Sequence, residues 1–85
     1  MPYIPQQRRE DLFPEFGAAI PRTPGELNFV LADTIKFYLE RKDGRPSYAN
    51  YNEVIGVLEA LKLEIYRRLV APYEDQKIRE NGDVF

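Results

Sequence analysis

The stretch Asn50-NYNEVIGVLEALKLEIYRRLVA-Ala71 decides the fold, because it is the longest run of helix-forming residues in the chain and holds most of the strong aliphatics. At about 100° per residue, Val54, Val57, Leu58, Leu61, Ile65 and Leu69 fall on one continuous face, the pattern of an amphipathic helix. A mixed stripe of Ile55, Glu59, Lys62 and Tyr66 runs beside it, and Leu63 and Val70 lie near the back. One neighbouring helix cannot cover apolar residues spread so widely. The pattern therefore predicts a helical protein that associates with copies of itself.

Upstream, Thr23-Pro24-Gly25-Glu26 announces a second helix: Thr as N-cap, Pro at the first helical position, and Glu three residues after the cap to complete a capping box. Leu27, Val30, Leu31, Thr34, Ile35 and Tyr38 form its inner face, and Asp43-Gly44-Arg45-Pro46 ends it. Asn50, with Glu53 three residues later, is expected to cap the central helix, and the short connection makes the two helices antiparallel neighbours. Pro72 is expected to break the pattern, with Tyr73–Glu80 forming a short helix that Asn81-Gly82 stops. Pro2, Pro5, Pro14 and Pro21 keep residues 1–22 from forming a long helix, so this arm is expected to carry one short turn around Asp11–Ala19. The expected fold is all-α, one domain over residues 1–85. It is a small helical bundle built on an antiparallel pair (about 24–42 and 51–71), with a Pro-rich arm, a short C-terminal helix and a tail at 83–85. Val84, Phe85, Tyr3 and Ile4 are expected to dock on the body or on another subunit.

Composition narrows the chemistry. No apolar run approaches the ~20 residues of a membrane span, and the start of the chain lacks the apolar segment of a secretory signal, so the expected location is cytoplasmic. The 85 residues contain no Cys and no His. Thiolate metal sites, disulfides, the commonest general base and the commonest metal ligand are thereby closed, and no cofactor is expected. A net charge of −2 supplies no field that attracts nucleic acid.

The constellation that carries most chemistry is Lys62, Tyr66, Arg67 and Arg68, followed by Tyr73 and Lys77. Guanidinium groups clamp phosphates and tyrosine faces stack on bases, so these residues form the candidate ligand-binding set for an anion that carries a ring. Glu59 and Glu64 stand within a turn of Lys62, Arg67 and Arg68, and ordinary surface ion pairs are the competing account. Tyr48, Asn50 and Asn52 could present polar groups beside a helix start, although capping explains them more simply. Glu74, Asp75, Glu80 and Asp83 fit no Ca²⁺-loop spacing, so no metal site is expected from them.

A family resemblance runs through the same residues. Met1-Pro2-Tyr3-Ile4, Gly25-Glu26-Leu27-Asn28, Ser47-Tyr48-Ala49-Asn50, the Lys62-x-Glu64-x-Tyr66-Arg67-Arg68 step and the ending Val70-Ala71-Pro72-Tyr73-Glu74-Asp75-Gln76-Lys77-Ile78-Arg79-Glu80-Asn81-Gly82-Asp83-Val84-Phe85 resemble short proteins of unknown function encoded by phages and prophages. The chain departs from that pattern in a longer 43–46 loop and in ending on Phe rather than Tyr. The resemblance implies a phage setting and no activity. Three function classes follow: a non-enzymatic accessory protein acting as a homo-oligomeric binding module, with a host protein as a partner; a sponge that sequesters a nucleotide-type signal between subunits; and, most distantly, a carboxylate- and metal-dependent hydrolase.

Overall fold

Thr23 sets the first long helix. Its Oγ1 accepts the Glu26 backbone N–H at 3.1 Å, and the Glu26 carboxylate reaches back to the Arg22 N–H at 3.1 Å, so two otherwise orphaned donors are satisfied at the helix start. The computed structural model describes residues 3–12, 20–41 and 47–85. Its elements are α1 (Gln6–Asp11), α2 (Pro24–Arg41), α3 (Tyr48–Ile65), a π turn (Tyr66–Val70) and α4 (Ala71–Asn81). The fold is all-α, with no strand among the described residues. Two units divide the chain, Tyr3–Val54 and Ile55–Phe85.

In the first unit the arm carries a helix at Gln6–Asp11 that its sequence did not announce. Pro5 precedes α1 and its carbonyl accepts the Arg9 N–H at 3.0 Å, so the proline sits at the start of a short helix. Most of the turn expected at 11–19 lies outside the described residues. A second correction concerns the cap of α3. Ser47, not Asn50, fills that role: its Oγ accepts the Asn50 N–H at 3.3 Å and its carbonyl accepts the Tyr51 N–H at 3.0 Å. A hydroxyl at the N-cap competes as well as an amide does, and Ser47 stands three residues earlier. Asn50 is consequently inside the first turn and only 8 % exposed.

The second unit holds the main surprise. Pro72 does not break the helix. Ile65, Val70 and Ala71 all keep right-handed helical dihedrals, and the Ala71 N–H donates to the Tyr66 carbonyl, five residues back instead of four. Proline has no N–H for the carbonyl four residues earlier, and its ring presses on that carbonyl. The wider π turn accommodates both defects and lets α3 pass into α4 without interruption. The expected end of the central helix at 71 therefore becomes a junction, and the expected C-terminal helix is present as its continuation. Gly82 stops α4 as anticipated. It takes φ 90°, a value that suits only a residue without Cβ, while its N–H donates to the Ile78 carbonyl at 2.8 Å.

None of the described apolar side chains is buried. Leu58 and Leu61, expected as core, are each 37 % exposed, and Ile65 and Leu69 more so. A helix shields its own side chains only through neighbours three and four residues away, and complete burial requires a second element over the face. Val84 and Phe85 extend into solvent, so the expected docking of this tail on the body is not observed.

Candidate functional site

The candidate set Lys62, Tyr66, Arg67, Arg68 and Tyr73 lies entirely in the second unit, on the last turn of α3, the π turn and the first turn of α4. Helix spacing dictates its pairings. Lys62 Nζ sits 3.1 Å from Glu59 and Arg67 donates to Glu64 at 2.9 Å, both three residues apart on adjacent turns. These are the ion pairs that competed with a ligand site in the sequence. Arg68 makes no ion pair among the described residues. Beyond the junction, Lys77 stands 5.5 Å from the centre of the Tyr73 ring and also pairs with Glu80 at 3.2 Å.

The two rings do not meet. In an unbroken α-helix Tyr66 and Tyr73, seven residues apart, share a face. A π turn takes up one residue more than an α turn, which displaces everything after it by about 100°. Glu74 is thereby carried over Tyr66, and its carboxylate accepts the phenol hydrogen bond; together with the negative charges of Glu74 and Asp75 this holds the Tyr66 phenol above its ordinary range. The same rotation carries Tyr73 away from Tyr66, into line with Leu58, Leu61 and Ile65. The structure thus brings together Tyr66 with Glu74 and Tyr73 with Lys77.

Charge follows from the same geometry. Three cations, Lys62, Arg67 and Arg68, face four carboxylates, Glu59, Glu64, Glu74 and Asp75. Such a surface is one of mixed charge. Asn50 is buried and its N–H is taken by Ser47, so the polar cluster at 48–52 does not present it to a ligand. Among the described residues no three acidic side chains gather at metal-binding distance, and no helix is long and apolar enough to cross a membrane.

Two features escaped the sequence. One is the π turn, whose signal was a proline inside an otherwise uninterrupted helical pattern. The other is an open, largely apolar depression of about 510 Å³ in the first unit, lined by Ile20, Pro21, Phe29 and Val30 with Arg22 and Glu26 at its edge. No periodicity announces it, because it joins the extended lead-in to the first turns of α2.

A family model described as a domain of unknown function (DUF6899) matches residues 1–84, and the chain belongs to that family. No curated protein and no solved structure matches it.

Proposed function

We propose that this family member is a non-enzymatic, homo-oligomeric helical binding module, acting as an accessory protein of a phage in the cytoplasm of its host. The observation that carries the proposal is the exposure of Leu58, Leu61 and Ile65 in one line along α3. Soluble chains rarely leave a continuous apolar stripe in water, and such stripes mark interaction surfaces. In this proposal the α2 and α3 segments are antiparallel neighbours, and further copies of the chain cover what one neighbour leaves exposed. Static light scattering at micromolar concentration tests it. A multiple of the 10.0 kDa chain mass is expected, and a monomer refutes the proposal.

Sequestration of a nucleotide-type ligand between subunits is the second reading, and Arg68 is the observation that favours it. A guanidinium without an ion pair among the described residues is the one cation of the set that a phosphate can take without displacing a carboxylate. Against it stands Glu74 at Tyr66, which places negative charge where an anion would approach the ring. A thermal-shift screen of linear and cyclic nucleotides separates the two readings, because a ligand at 100 times its dissociation constant adds about 2.7 kcal/mol. For a carboxylate-dependent hydrolase the acidic residues are poorly disposed: Glu74 is engaged by Tyr66, and Glu80 by Lys77 and Gln76.

A further inference from the structure

We infer that Asn81 is a site of spontaneous deamidation, and that opening of the last turn of α4 sets its rate.

Asn81 and Gly82 are both exposed. An asparagine followed by a residue without Cβ is the pairing in which the next backbone nitrogen reaches the side-chain amide with least obstruction. In the reaction the Gly82 amide gives its proton to a solvent base and its nitrogen attacks Cγ of Asn81. The new Cγ–N bond closes a five-membered succinimide, the Cγ–Nδ2 bond breaks, and Nδ2 leaves as ammonia after taking a proton from solvent. Water then opens the ring. Cleavage of the new bond gives aspartate, and cleavage of the original peptide bond gives isoaspartate, with the main chain routed through Cγ. Nothing is oxidised or reduced, and water is the co-reactant.

The closed helix end opposes this chemistry twice. The attacking nitrogen is engaged, since the Gly82 N–H donates to the Ile78 carbonyl at 2.8 Å. Asn81 is also the last residue of α4, and ring closure requires its ψ to turn well away from the helical value of about −42°. Both obstacles disappear when the last turn unwinds. Glu80 fastens that turn by accepting from Gln76 and Lys77, each at 3.2 Å. Helix ends are the parts of a fold that open most readily, so the cap slows the reaction and does not abolish it. The product does not restore the same end. Its new carboxylate stands at the negative end of the α4 dipole, between Glu80 and Asp83, and isoaspartate lengthens the backbone that carried the Gly82 N–H to Ile78. Asn28, Asn50 and Asn52 lie inside α2 and α3 and precede Phe29, Tyr51 and Glu53, so they serve as internal controls.

The full-length chain is aged in mildly alkaline buffer at physiological temperature, and peptide-resolved mass spectrometry follows amide-to-acid conversion at each asparagine. The peptide Arg79-Glu80-Asn81-Gly82-Asp83, too short to hold a helix, gives the rate without a cap. Conversion of the chain is expected at Asn81 ahead of the other three, at least about fivefold slower than in the peptide, the factor that corresponds to one net backbone hydrogen bond of about 1 kcal/mol. Lys77→Gly weakens the last turn and leaves residues 79–83 unchanged, so it is expected to speed conversion by a similar factor. A chain that converts as fast as the peptide, or a Lys77→Gly variant that converts no faster than its parent, overturns the gating. A chain that stays unconverted at Asn81 after the peptide has reacted fully, or that converts first at Asn28, Asn50 or Asn52, overturns the site.

Discussion

Replacing Pro72 by Ala isolates the cause of the π turn. A proline in a helix interior costs about 3 kcal/mol relative to alanine, through the missing donor and the clash with the carbonyl four residues earlier. Part of that cost is already recovered here, since the wider turn preserves the Ala71 to Tyr66 hydrogen bond, worth about 1 kcal/mol net. Pro72→Ala is therefore expected to stabilise the fold by about 2 kcal/mol, measured by urea denaturation followed by circular dichroism. A second readout reports register. Once the helix rewinds to α spacing, Glu74 swings away from Tyr66 by about 100°, and the Tyr66 phenol returns to its ordinary range near 10. Spectrophotometric titration of the tyrosines detects that return. A neutral or destabilising substitution, with the Tyr66 phenol still raised, would show that the π turn has a cause other than Pro72.

Glu74→Gln is expected to lower the Tyr66 phenol toward its ordinary range in the parent background. Because the folded state holds that proton more tightly, the contribution to stability is complete below about pH 10 and is lost as pH rises through the folded value. Removing the carboxylate should flatten that alkaline loss in pH-dependent unfolding. Thr23→Ala deletes the oxygen that accepts the Glu26 N–H and should cost about 1 kcal/mol, read by chemical denaturation; an unchanged midpoint would mean that α2 starts without its cap. A Cβ at Gly56 meets nothing within 4 Å, so Gly56→Ala is expected to stabilise α3 by about 1 kcal/mol, and a loss would reveal a close crossing at that position in the assembled protein. Leu61→Ala keeps helix propensity but empties the stripe; a cost of about 2 kcal/mol or more with a lower oligomer mass is expected, and a variant as stable and as associated as the parent would leave that face in water.

Local rules carried most of the fold. Thr23, Pro24 and Glu26 specify the start of α2 through hydrogen bonds made within four residues, and Gly82 specifies the end of α4 through a backbone angle. The cap of α3 was misplaced because two acceptable N-cap residues, Ser47 and Asn50, stand three apart, and spacing alone does not rank them. The candidate site was less legible for a different reason. Each of its pairs depends on the angle between side chains on successive turns, and one extra residue in the Tyr66–Val70 turn changes that angle for everything downstream. Lys62 and Arg67 lie before that turn, and their expected carboxylate partners are the ones observed. Tyr73 lies after it, so its neighbours do not follow from continuing the α spacing of α3.

The same displacement links the proline to the surface that the chain presents. Had α3 continued with unbroken α spacing, Leu69 would extend the Leu58, Leu61 and Ile65 stripe by another turn and Tyr66 would share a face with Tyr73, giving an aromatic pair beside Arg67 and Lys62. With the π turn, Tyr73 enters its line with Lys77 5.5 Å from the ring centre, and Glu74 stands at Tyr66. One residue without an N–H therefore resets which side chains share a face before and after it.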